Sequence, residues 1–212
     1  MSEGFFIDFE GEQTGPPVLI GVLGISSALG DNDGFRQFVF DEDLQRLGAS
    51  SSTDHGCCVN VTAEESLRRI REAIETTRLP VYAWSSYEET TILGLVATEE
   101  DRDFWTGRVT DAKAIAKRWK RKHHPDVVFQ LTRGSGRHAL RHYLKLIDYK
   151  IPPTQQGGLT GQRIRDARNA IVKRGDWASM TPVQKRKWRS LLAHNWHDCN
   201  GMRELMRICH MG

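Results

Sequence analysis

The stretch Phe5-Phe6-Ile7-Asp8-Phe9-Glu10-Gly11-Glu12 decides how the rest of the chain is read. It is an apolar run carrying two carboxylates two residues apart, and a strand sends alternate side chains to opposite faces, so Asp8 and Glu10 share one face. Like charges held that close repel and gain little in a solvated sheet, whereas together they make a hard-oxygen site for a divalent cation. The competing reading is an edge strand with two solvated acids. The choice between them depends on whether further acids fall where one cation site needs them.

Around that strand the chain alternates apolar runs with turn residues. Phe5–Phe9 reads as a first strand, Val18–Ile25 as a second and Phe35–Phe40 as a third, joined by short loops that make an antiparallel meander. Residues 41–61 show little periodicity and read as a surface insertion. Thr62 and Glu65 have capping-box spacing and open a helix with Leu67, Ile70 and Ile74 on one face, ending near Arg78. Pro80 to Ala83 gives a short buried strand. Ser86 and Glu89 repeat the capping-box spacing before Ile92, Leu93 and Leu95. Helices follow at roughly 111–121, 136–147, 161–173 and 182–210. This order is α/β, with three antiparallel strands, then a parallel strand, in one mixed sheet flanked by helices. At 212 residues the chain fits one domain, residues 1–212.

Charge divides the chain in two. Residues 1–110 hold 20 acids and eight arginines, a net of −12, whereas residues 111–212 carry a net of +15, and no lysine precedes Lys113. An acidic, strand-rich half beside a basic, helical half suits a protein that acts on a polyanion: carboxylates hold cations and Lys or Arg hold phosphates. Arg133, Arg137, Arg141 and Lys145 recur every four residues and form a candidate phosphate-facing stripe, as do Arg163, Arg165, Arg168, Lys173 and Arg174 farther on. Lys185, Arg186 and Trp188 interleave charge with an aromatic ring, which suits stacking on a single strand. The spacing of Trp188, Leu191 and Leu192 equally fits a helix core face. The four cysteines form no CxxC pair, which fits reduced thiols in a cytoplasmic protein. No export signal is evident, and no apolar run approaches the roughly 20 residues that span a bilayer.

Two further sites supply acids. Trp84-Ser85-Ser86-Tyr87-Glu88 places Glu88 in the first turn of a helix, where the helix dipole also favours a carboxylate. His194-Asn195-Trp196-His197-Asp198 puts His194 and Asp198 four apart on one helix face. Asn195, Asp198 and Asn200 are poor helix formers in mid-helix, so another requirement holds them there.

With these motifs in order, the chain resembles the DEDD superfamily of 3′-to-5′ exonucleases, which have a ribonuclease H-like fold. It is most similar to the ribonuclease H-like branch found fused to or beside RecB-type nucleases and helicases. Phe6 to Gly11 resembles that branch's first motif, Glu88 matches the acid of the second and Asp198 that of the third. Asp111 matches an acid that begins a helix, and His138 to Leu144 resembles an intervening segment. His194 stands where the branch usually has tyrosine. The resemblance implies a nuclease in which Asp8, Glu10, Glu88 and Asp198, with Asp111 as a further candidate, hold two Mg²⁺ or Mn²⁺ ions roughly 4 Å apart. His194 would orient or deprotonate the attacking water. The implied substrate is a single-stranded DNA or RNA end, and the implied partner a separately encoded helicase or second nuclease. The alternative is a catalytically weak nucleic-acid-binding or scaffold module of a larger repair or defence complex.

Overall fold

Alternation along β1 (Phe5–Gly11) sends Phe5 and Ile7 into one apolar layer and Phe6 into another, on the side that also receives Asp8 and Glu10. The computed structural model describes residues 3–12, 14–24, 34–47, 57–131, 136–153 and 159–211. After β1 come β2 (Pro17–Leu23), β3 (Phe35–Val39), α1 (Glu42–Gln45), β4 (Cys57–Asn60), α2 (Ala63–Thr77), β5 (Val81–Ala83), α3 (Ser86–Leu95) and α4 (Glu99–Trp105). The basic half then contains β6 (Val109–Asp111), α5 (Ala112–His123), α6 (Leu140–Leu146), α7 (Thr160–Arg174) and α8 (Pro182–Met211).

The strands form one mixed sheet in the order β4-β3-β2-β1-β5-β6. β1, β2 and β3 are the antiparallel meander expected from the sequence. β5, the expected fourth strand, pairs parallel with β1 through Phe5↔Val81 and Phe6↔Tyr82. Two short strands were not anticipated: β4 lies parallel to β3 at one edge, and β6 lies parallel to β5 at the other. Residues 41–61 are therefore not only an insertion, because they include α1 and β4. Cys57 to Asn60 has no alternation to read, and its pairing comes from β3. α4 also escapes the sequence, having no apolar stripe. It is held by a Thr98 cap, by buried Trp105 and by Arg71, which pairs with Glu100 and Asp101. α6 begins at Leu140 rather than 136, because Ala139 has an extended backbone and a turn precedes it.

One face of the sheet packs Phe5, Ile7, Ile20 and Val22 against Leu67, Ile70 and Ile74 of α2. The other face is crossed by α8, whose 30 residues extend about 45 Å. α8 meets β1, β2, α5, α6 and α7. Its middle is consequently buried nearly all round, from Leu191 to Asn195 and again from Cys199 to Met202. Among the described residues no helix is long and apolar enough to cross a membrane.

A row of residues across three strands sets how closely α8 approaches. Asp8 faces Gly21 in the β1–β2 ladder, and Gly21 faces Gln37 in the β2–β3 ladder. Asn195 of α8 sits over Gly21, where a Cβ would lie only 1.9 Å from Asn195 Oδ1. On one side Gln37 Nε2 donates to Asn195 Oδ1 (2.9 Å) and to Leu192 O (3.0 Å). On the other, Asn195 Nδ2 donates to Asp8 Oδ2 (2.9 Å) and Asp8 O (3.0 Å). The row therefore orients the amide and leaves no room for a side chain at position 21. Gly21→Ala is expected to cost about 1–3 kcal/mol of unfolding free energy in urea denaturation, by forcing Asn195 out of this clamp.

Candidate metal centre

Because β1 and β5 run parallel, their carboxyl ends reach the same edge of the sheet, the usual place for a ligand site in such sheets. β1 presents Asp8 and Glu10 there. The chain leaves β5 through Trp84 and enters α3, which presents Glu88, and α8 crosses the same end with His194 and Asp198. Three separate elements therefore bring four acids together. Burial pushes Asp8 far above the usual carboxylate range, and Glu10, Asp198 and Glu88 raise it further. The Cys199 thiol, buried beneath them and donating to Gly21 O (3.6 Å), is likewise pushed well up, by burial and then by all four carboxylates. Asp111 is not among the charges acting on either group. Its carboxylate caps α5 by accepting from Ala114 N (2.9 Å), and its backbone pairs with Ala83 at the end of β5.

Glu10 is at the centre of this arrangement. Glu10, His194 and Asp198 each offer a ligand atom, all within 4.8 Å of one another. His194 Nε2 is 3.6 Å from Asp198 Oδ2. Glu10 is only 5% exposed, and its Oε1 is buried without a hydrogen-bond partner. Burial pushes its carboxyl up to about 7; His194, the Thr160 hydroxyl and Arg163 pull in the opposite direction. Burial likewise raises Asp198, against His194. An orphaned carboxylate oxygen among mutually repelling hard-oxygen donors fits a divalent cation, whose charge would remove the repulsion. Glu10, His194 and Asp198 have the geometry to hold it, and Asp8 and Glu88 add their charges to the same place.

Glu88 shows a shift of register. The sequence offers Ser86 and Glu89 as the capping pair, but the box is formed by Ser85 and Glu88. Ser85 N (3.1 Å) and Ser85 Oγ (2.9 Å) both donate to Glu88 Oε2, while Glu89 accepts from Gly107 N (2.6 Å). Capping therefore does not compete with a role at the site, since it fixes the carboxylate in place. Burial still raises Glu88, partly offset by Ser85 and by Lys113 of α5.

Among the neighbours of the acids, Asn195 has a signal in the sequence as an unfavourable residue in mid-helix, and Arg163 belongs to a basic stripe but acts on Glu10. Sequence reasoning missed Gln37 and Thr160, because their roles depend on which elements pack together. The proposed nucleic-acid contacts divide. Arg137 is exposed and lines a basic cleft beside α5, whereas Arg141 and Lys145 lie farther along α6. Arg133 falls outside the described residues. Arg186 is exposed, but Lys185 lies over the Trp177 ring and donates to Ala178 O. Trp188 is fully buried against Leu191 and Leu192, so its ring is core and not a stacking platform. On α7, Arg165 and Arg168 pair with Glu12, and Arg168 also with Asp41.

No protein-family model matches this chain, and no curated protein or solved structure matches it. A carboxyl raised from 4.5 to about 7 stabilises the metal-free fold fully below about pH 4.5, and that contribution is lost as pH rises through about 7. Protons and cations compete for the same oxygens, so Mn²⁺ is expected to raise the melting temperature by several degrees near about pH 8 and hardly at all near about pH 5. Differential scanning fluorimetry across that range checks this.

Proposed function

We propose that this protein is a metal-dependent nuclease that hydrolyses phosphodiester bonds with two divalent cations, Mg²⁺ or Mn²⁺, acting as a 3′-to-5′ exonuclease on single-stranded ends. The observation that carries the reading is the convergence of Asp8, Glu10, Glu88 and Asp198, from a central strand, a helix start and a crossing helix, into one buried negative field. The strand order supports it. The antiparallel β3-β2-β1 meander with β5 parallel beside a central β1 agrees with the order a ribonuclease H-like reading calls for, and β4 adds an edge strand. The exonuclease polarity rests on the resemblance of the three acidic motifs.

Bound there, such cations would supply Lewis acidity to a water and positive charge to a leaving oxygen. The protein's own part is positioning. Asn195 fixes the Asp8 carboxylate and Ser85 fixes that of Glu88, so two of the four acids have their orientation set before any ligand arrives. Asp198 keeps a quarter of its side chain exposed and gives the site its opening, whereas Glu10 closes the interior side. His194, beside Asp198, is the group within reach of that opening to accept a proton from a water there.

A 5′-labelled single strand of DNA or RNA with Mg²⁺ or Mn²⁺ tests this. The wild type is expected to give a ladder shortening from the 3′ end and to leave circles intact. Asp8→Asn and Asp198→Asn are each expected to reduce cleavage by about a thousandfold, equivalent to about 4 kcal/mol. Unchanged activity in both variants would remove the mechanism. Cutting of circles would remove the exonuclease assignment and leave the site.

A further inference from the structure

The surplus positive charge is not spread evenly. Arg165, Arg168 and Lys187 are neutralised by Glu12, Asp41 and Asp166 within the fold. Along α5 the pattern differs. Lys113, Lys117, Arg118, Arg121 and the neighbouring Arg137 have no ion-pair partner among the described residues. Lys113, Lys117 and Arg121 recur every four residues, so they form one row along the helix.

Lys117 and Arg121 of that row, with Arg118, border a cleft of about 580 Å³ whose other wall is the segment from Pro125 to Phe129 and the start of α6. The cleft is basic at its rim and aromatic at its base. Phe129 packs edge-on to Tyr143 (4.8 Å between ring centroids) and lies under the Lys120 ammonium (5.5 Å). His138 bonds Tyr143 Oη through Nδ1 (2.7 Å). Val128, on the lip, is 80% exposed. Burial and the charges of Lys117, Arg137, Lys113 and Lys120 hold the His138 imidazolium below its ordinary range, which marks a focused positive potential.

Lys113 and Trp84 link the cleft to the acid cluster. Lys113 acts electrostatically on both Glu88 and His138. Trp84, which leads from β5 into the Glu88 helix, donates from Nε1 to His138 O (3.1 Å) and stacks edge-on against Tyr143. We infer that this cleft between α5 and the Pro125–Phe129 segment binds single-stranded nucleic acid, holding the strand whose end lies at the acid cluster. The inference rests on the nuclease reading for its direction. A single strand satisfies both surfaces, giving phosphates to the unpaired cations and base faces to the aromatic and apolar base of the cleft. A duplex hides its bases, and an acidic peptide has none.

The test is fluorescence anisotropy in EDTA, where no cutting occurs, with fluorescein-labelled oligothymidylate and oligouridylate of about 12 nucleotides. Lys117→Glu with Arg121→Glu is expected to weaken binding at least about tenfold and to lower the slope of log K against log salt by about 2. Arg46→Glu with Arg108→Glu, the same charge change at exposed positions of the acidic half, is expected to weaken it less than about threefold. Thermal melts establish that both variants are folded. Equal weakening by the two pairs, or displacement of the strand by polyglutamate as effectively as by unlabelled oligonucleotide, would overturn the inference. Mn²⁺-dependent cleavage by the wild type is read separately. Cleavage with binding indifferent to Lys117 and Arg121 removes only the cleft, and binding through the cleft with no cleavage of any substrate removes only the nuclease reading.

Discussion

The rest of the structure depends on one hydrogen-bonded contact: the Asn195 amide clamped between Gln37 and Asp8 over the bare backbone of Gly21. It sets the distance of the longest helix from the sheet and the rotation of that helix about its own axis. With Asn195 facing Asp8, the helix period brings His194 and Asp198 to the same end of the sheet as Glu10. An apolar contact here would hold α8 against the sheet without selecting one register. A buried amide with both ends engaged selects it, because slippage would leave polar groups of both elements unsatisfied. This also explains why poor helix formers occupy the middle of α8.

The same arrangement places a strain on the metal-free protein. Four carboxylates are brought close and buried, and His194, Arg163 and Lys113 only partly offset the rise this causes in their pKa values. Arg163 is near Glu10 but is only one charge among four acids. Where the fold needs internal neutralisation it provides it, as with Arg165 and Arg168 on Glu12 and Asp41, just outside the cluster. The contrast between a neutralised rim and an uncompensated centre favours an external cation over a structural acid cluster.

Much of this was legible in the sequence because it rests on short periodicities. The two-residue spacing of Asp8 and Glu10, the four-residue spacing of His194 and Asp198, and the apolar stripe of α2 each fix which residues share a face. What was not legible depends on partners far away in the chain. β4 and β6 are strands because β3 and β5 pair with them, and Cys57 to Asn60 or Val109 to Asp111 alone specify nothing. The capping pair of α3 was misread by one residue because Ser85-Ser86 and Glu88-Glu89 satisfy the same pattern in two registers, and only the backbone chooses. Trp188 fits both a stacking ring and a core residue by spacing, and packing against α7 decided for the core. The charge asymmetry was plain in the sequence, but its division into internal ion pairs and an uncompensated cleft required the fold.

We propose that Asp8, Glu10, Glu88 and Asp198 form one site for two divalent cations, and anomalous diffraction from crystals soaked in Mn²⁺ measures this most directly. Two manganese peaks are expected among those four side chains, one of them coordinated by Glu10 Oε1. Ordered density for the four carboxylates with no manganese between them, or with manganese only at surface acids such as Asp101 or Glu100, would contradict it.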